Sequence, residues 1–231
     1  TLLDEPDKKA SPAEKIVAAG NDSAVNSLPG KDYDEVFEET YKGDSQEEFR
    51  DRVLSWALSW KHPRFGTGIE KLVYQPMREL MDFLRASGFT VFVVTGSNED
   101  FTRAYSRELY GVPENQVIGS ESALKYKVID NRSFVVKQSH QEVATVGPNK
   151  PVMIEKHIGK RPVFAAGNGT SDPDMLTYVS DNKRKNFCLL IRHDDPGREY
   201  EYYIPKLEEL AQKKGFLIVN MKEDWKTIFP E

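Results

Sequence analysis

The sequence is short of the features that would place it outside the ordinary globular classes. It holds a single cysteine, so no disulfide can form within the chain. That residue, Cys188, sits in an apolar run from Phe187 to Ile191 and reads as a buried strand position, which leaves cytoplasm and periplasm equally open. No apolar run approaches the roughly 20 residues that cross a bilayer, so no membrane span is expected. Basic residues are not in surplus: 32 Lys and Arg against 37 Asp and Glu give a formal charge of -5. A general nucleic-acid binder would leave too many phosphates unneutralised at that balance. No G-x-G-x-x-G opens a helix after a strand, which disfavours a dehydrogenase. Internal repeats and low-complexity tracts are missing as well. The opening T-L-L-D-E-P-D-K-K resembles neither a start site nor a signal peptide.

What remains is a soluble composition, 39% apolar and 30% charged over 231 residues, enough for one sizeable core, or for a core plus a small inserted domain. Residues 1–12 are polar, carry two prolines and read as loop or disordered. Ala13 to Ala19 reads as a short helix, and Tyr33 to Tyr41 as another. Asp44-Ser45-Gln46-Glu47 resembles a helix cap, behind which Phe49, Val53, Trp56, Ala57 and Trp60 recur at intervals of three and four. Residues 13–68 are therefore expected to form a small helical unit.

From Ile69 onward the pattern predicts a core over 69–231. Leu72 to Leu84 marks a helix, and Thr90 to Thr95 is apolar at nearly every position, as in a strand buried on both faces of a parallel sheet. Phe101 to Tyr110 is a helix, Val117 and Ile118 a short strand, and Leu124 to Val136 a hairpin turning at Asp130-Asn131. Helices follow at Lys150 to Ile158, Asp172 to Val179 and Leu207 to Ala211, and strands at Phe187 to Ile191 and Phe216 to Val219. Alternating units of this length predict a three-layer, Rossmann-like α/β fold.

The stretch R-P-V-F-A-A-G-N-G-T-S-D-P-D-M-L, Arg161 to Leu176, reads as a buried strand, a tight turn and the start of a helix. Ligands bind open α/β sheets at such junctions, which puts Asn168 and Asp172 at the mouth of a site. Oxygen donors with no thiol or imidazole nearby suit a hard cation such as Mg²⁺. The plainer reading stays open: Asp172 or Asp174 as a helix N-cap, and Gly167 as a turn residue. His193 reads more readily as a surface histidine than as part of the mouth.

Three pieces, in order, resemble the haloacid dehalogenase superfamily of phosphotransferases: a strand ending in Thr95-Gly96, Lys150 heading the helix K-P-V-M-I-E-K-H-I-G, and G-N-G-T-S-D-P-D-M, similar to the family's G-D-x-x-x-D motif. The resemblance spans about residues 44 to 231. It is nearest a phosphoserine-phosphatase-like branch of bacterial proteins with a helical cap. It implies Mg²⁺-dependent hydrolysis of a small phosphorylated substrate, with residues 13–68 as cap. Thr95, Gly96, Ser97 and Lys150 would bind phosphate, with Thr95, Lys150 and Asp172 catalytic. Asp172 and Asn168 would hold the metal, although the family usually has Asp where Asn168 stands, which removes one negative charge. Lys156 is the lesser candidate lysine because it lies near the end of its helix.

The resemblance also implies a nucleophilic Asp in D-x-D-x-T, at the end of a central strand. The motif is not found: Asp32-Tyr33-Asp34 is preceded by S-L-P-G-K rather than an apolar strand and is rejected. The expectation is therefore a missing N-terminal segment of the same protein, upstream of Thr1, that carries this strand. Thr1-Leu2-Leu3 even looks like the tail of D-x-D-G-T-L. The alternative is a non-catalytic binding protein on the same scaffold, which would bind a phosphate-like ligand without turnover.

Overall fold

The computed structural model describes residues 41–230. The loop expected at 1–12, the helices at 13–19 and 33–41, the Asp32-Tyr33-Asp34 segment and much of the 13–68 unit lie outside the described residues.

Helix α1 (Gln46–Ser59) opens with a reciprocal cap: Ser45 accepts the Glu48 amide while Glu48 accepts the Ser45 amide. Phe49, Val53 and Ala57 are buried along it, whereas Trp56 stays 43% exposed, so the inward stripe is narrower than the sequence spacing implies. Helix α2 (Gln75–Ala86) follows, then strand β1 (Val93–Asn98) and helix α3 (Glu99–Tyr110), which ends on Gly111 in the left-handed region. Strand β1 starts later than predicted and runs through Gly96. It is half-buried rather than enclosed, because its outer edge has no strand partner among the described residues.

The expected short strand and hairpin merge into one long ribbon, β2 (Val117–Ile129) and β3 (Arg132–Val143), paired antiparallel from Glu121 to Arg132. Its turn is Asp130-Asn131, both at positive φ (50° and 61°), the geometry a two-residue turn requires and these residue types tolerate. The Lys137 side chain, fully buried on β3, lies over the Phe49 ring at 4.3 Å and bonds Asp100 on α3 and Ser122 on β2, tying α1 to the ribbon.

The remaining elements are α4 (Asn149–Ile158), β4 (Phe164–Gly167), α5 (Pro173–Ser180), β5 (Phe187–Asp194), β6 (Glu201–Tyr202), α6 (Pro205–Lys214), β7 (Leu217–Asn220) and α7 (Met221–Asp224). Strands β1, β2 and β3 form one sheet, with β1 parallel to β2. In the other, β5 pairs parallel with β4 and β7 and antiparallel with β6.

Alternation along β5 explains the layers. Cys188 and Leu190 face Leu176 and Val179 of α5 and Leu207 and Ala211 of α6. Leu189 and Ile191 face Met221, Trp225 and Ile228, with Met77 and Leu80 of α2 packed alongside. Each side chain such as Leu176 or Leu207 that is driven fully out of water contributes about 1.5–3 kcal/mol. A third cluster seats Met153 and Ile154 of α4 on Ile118, Phe92 and Val94, and against Met175 of α5. Helix α4 therefore joins the β1 sheet to the helix that follows β4. Cys188 is buried, and burial pushes its thiol up to about 11.

Candidate active site

The α4 helix brings Lys150 inward at its first turn. The residue is 4% exposed, not a solvated helix-start lysine. Its Nζ donates to the Val94 carbonyl on β1 at 3.2 Å and to Asp172 Oδ1 at 2.6 Å. Lys156, the other lysine on α4, pairs instead with Glu121 at the surface, where its side chain is 58% exposed.

Asp172 occupies the N-cap position of α5, yet its side chain makes no cap. It turns back over the loop, where Oδ2 accepts the amides of Asn168 at 2.8 Å and Gly169 at 2.7 Å. That approach needs glycine at the end of β4: a Cβ on Gly167 would stand 2.8 Å from Asp172 Cβ. Asp174 is exposed and lies beside Gly147.

On β1, Thr95 Oγ1 accepts the Ser97 amide at 3.0 Å, so the Ser97 N–H is already engaged within its own loop. Gly96 and Ser97 are exposed, and the Gly96 carbonyl accepts Ser120 Oγ at 2.7 Å. The structure thus brings Lys150 and Asp172 into direct contact and joins them to the strand carrying Thr95 through Val94. No hydrogen bond among the described residues links the Thr95 side chain to either.

Asn168 is held by groups that its local sequence does not announce. Its Nδ2 donates to His193 Nε2 at 3.0 Å and to the Tyr202 hydroxyl. His193 Nδ1 is 2.8 Å from Glu199 Oε2, and Tyr74 donates to Glu199 Oε1 at 2.6 Å. Burial and the Glu199 carboxylate push the Tyr74 phenol well above its usual range. Tyr202 stacks on His193 with centroids 4.3 Å apart, and burial pushes its phenol up too.

His193 is 3% exposed, not the surface histidine the sequence suggested, because β5 runs three residues beyond Ile191. An imidazole therefore does stand beside the oxygen donors. The legible signal was Arg192-His193-Asp194 capping an apolar strand, since polar residues at such strand ends face ligands. Glu199 and Tyr202 carry no comparable signal.

Among the described residues a second group could offer ligand atoms: Glu99, Glu121 and His157, all within 4.8 Å of one another. Glu99 and Glu121 border a cavity of about 250 Å³ shared with Asp100, Arg103 and Glu142. Burial pushes the Glu99 carboxyl up. Its carboxylates already have partners, Glu99 an ion pair with Arg103 and Glu121 one with Lys156, with His157 Nε2 3.0 Å from Glu121.

Parallel strands with a buried lysine–carboxylate pair beyond the end of β4 define an α/β protein of the Rossmann-like class. The chain belongs to the haloacid dehalogenase-like hydrolase family, whose model matches residues 8–177. No curated protein matches it in sequence.

Among solved structures it is similar to a HAD family hydrolase from Salmonella enterica serovar Typhi, with 14% identity, 81% of this chain covered and a TM-score of 0.40. The chain spans only 55% of that protein's length. A phosphoserine phosphohydrolase-like protein from Francisella tularensis is 11% identical, covering 90% of this chain and 86% of its own, with a TM-score of 0.42. A phosphoserine phosphatase from T. onnurineus is 16% identical over 88% of this chain and 86% of its own, with a TM-score of 0.37. Similarity at that level carries neither substrate nor site residues to this chain. Among the described residues, no helix is long and apolar enough to cross a membrane.

Proposed function

We propose that the protein is a phosphatase that hydrolyses a small phosphomonoester with Mg²⁺ as cofactor. The observation that carries this reading is Lys150, a buried ammonium held between the Val94 carbonyl and the Asp172 carboxylate. Phosphoryl transfer asks chiefly for neutralisation and placement of charge. An ammonium has three hydrogens, and with two committed the third is available to a phosphoryl oxygen. Thr95, whose oxygen accepts the Ser97 amide, keeps its own proton to donate, and the Gly96 amide adds a second donor. Ser97 serves by holding Thr95 in place.

The donor set fits a hard cation. Asp172 keeps a lone pair on Oδ1, and Asn168 offers Oδ1, which accepts no hydrogen bond among the described residues; water and phosphate oxygens would complete the shell. The ion, when bound, supplies charge neutralisation to the phosphoryl oxygens. The residues of this chain bind and orient the phosphoryl group, and Lys150 balances the Asp172 carboxylate in its absence.

The attacking aspartate is expected on a strand between β1 and β4, in a segment of the same protein outside this chain. Both strands have an edge without a partner among the described residues, and α4 and Lys150 link β1 to Asp172 and α5, which follow β4. Two such edges present main-chain groups that a further strand would satisfy. The unit before residue 69 is expected to select the substrate as a helical cap.

The test is phosphate release from a generic aryl phosphate by the complete protein with Mg²⁺, beside Lys150→Ala and Asp172→Ala. Activity equal in all three rejects the reading. Ligand binding without turnover would favour a non-catalytic phosphate-binding protein.

A further inference from the structure

Asn168 offers the site an amide rather than a carboxylate, and the groups behind it bear on how that amide is turned. Glu199, 4% exposed, takes a hydrogen bond from Tyr74 on Oε1 and faces His193 Nδ1 with Oε2 at 2.8 Å. A carboxylate can only accept, so a hydrogen lies on His193 Nδ1. At 3.0 Å Nε2 meets Asn168 Nδ2, an amide nitrogen that can only donate, so this contact makes Nε2 the acceptor. The second hydrogen of that amide goes to the Tyr202 hydroxyl, whose ring is stacked on the imidazole. Both N–H bonds of the amide are thereby committed to one side. An aspartate in place of Asn168 would set an oxygen against the Nε2 lone pair.

We propose that Glu199, His193 and Tyr202 are positioning residues that fix the Asn168 amide, with its oxygen turned away from the imidazole toward the ligand side of Asp172. The chain Tyr74–Glu199–His193–Asn168 sets this orientation through a defined histidine tautomer. It acts on the cation through Asn168, as groups behind a metal ligand generally do, where their loss weakens binding by about 10–100-fold. The inference rests on the phosphatase reading only in naming the cation that the oxygen would meet.

The experiment uses the complete protein. Nitrogen-15 correlation spectra report which nitrogen of His193 carries hydrogen, with His193→Phe as the assignment control. Mn²⁺ titration followed by electron paramagnetic resonance, without substrate, reports affinity in wild type, His193→Phe and Tyr202→Phe. Tyr202 is 39% exposed, so its variant loses only the hydroxyl and serves if His193→Phe fails to fold.

Hydrogen on Nδ1, together with a loss of Mn²⁺ affinity of about tenfold or more in the folded variants, upholds the assignment. Hydrogen on Nε2, or Mn²⁺ affinity unchanged in the variants, overturns it. A wild-type protein that gives the Nδ1 tautomer and binds Mn²⁺ through this amide, yet never releases phosphate from aryl phosphate, would sink the phosphatase reading and leave the orientation of Asn168 standing.

Discussion

Lys137 Nζ lies 3.0 Å from Asp100 Oδ2, with the lysine side chain wholly out of water and that of the aspartate 13% exposed. Burial alone would raise the Asp100 carboxyl, but the Lys137 charge and the hydrogen bonds from Lys137 and Gln46 hold it below its ordinary value. A carboxyl depressed by folding stabilises the protein above its unfolded pKa of about 3.9, and that contribution disappears as pH falls through the lower, folded value. Urea denaturation of the wild type should therefore show stability declining below about pH 4. Asp100→Asn should make that decline shallower while costing about 3–5 kcal/mol at neutral pH, because Lys137 is left buried and unpaired. An unchanged acid profile would remove the pair from the list of stabilising contacts.

The second buried pair should separate stability from chemistry. Lys150→Met strands the Asp172 carboxylate and Asp172→Asn strands the ammonium, each at a cost of about 3–5 kcal/mol by chemical denaturation. Lys150→Met combined with Asp172→Asn should recover part of that loss, since neither charge is then left alone. Phosphate release should stay abolished in all three. Recovery of turnover in the double variant would mean that the pair is only structural.

Thr95 is a sharper probe because only its hydroxyl proton is in question. Thr95→Val keeps the shape and removes the donor, and should lower the rate of phosphate release by about 10²–10³. Thr95→Ser restores the donor and should come back to within about tenfold of wild type. Equal rates in the two variants would exclude a hydrogen bond from this residue to the reacting group.

Gly167→Ala tests the loop. The added methyl would lie 2.8 Å from Asp172 Cβ and 3.0 Å from its Cγ, so the carboxylate must shift from the Asn168 and Gly169 amides. Overpacking of this kind costs about 1–3 kcal/mol. Misplacement near 1 Å costs on the order of 10² in rate, so the steady-state kcat should fall further than the stability change alone suggests.

The Rossmann-like class and most elements could be read from the sequence because they rest on short-range rules. The Ser45 cap, the Asp130-Asn131 turn and the apolar runs at Phe187 to Ile191 and Phe216 to Val219 each carry their cause within a few residues. Pairing over distance was harder to see. The union of Val117-Ile118 with the hairpin depends on Glu121 meeting Val143, and the late start of β1 depends on its partner Val117.

At the site, Lys150 and Asp172 stood out by position, one at a helix start and the other after a glycine-bounded strand. Glu199 and Tyr202 did not, because a glutamate among exposed neighbours and a tyrosine on a two-residue strand look like surface until the fold sets them against His193.

Lys150 reaches a main-chain oxygen in one sheet and a side-chain oxygen in the loop that leads from the other sheet into α5. It is a clasp between the two halves of the molecule as well as the docking point proposed above. A guest that takes the spare hydrogen leaves the clasp shut, and one that pulls the whole ammonium toward itself must ease the halves apart. Saturating inorganic phosphate should therefore raise the melting temperature through the same nitrogen whose loss would loosen the empty protein, so that occupancy and cohesion share one atom.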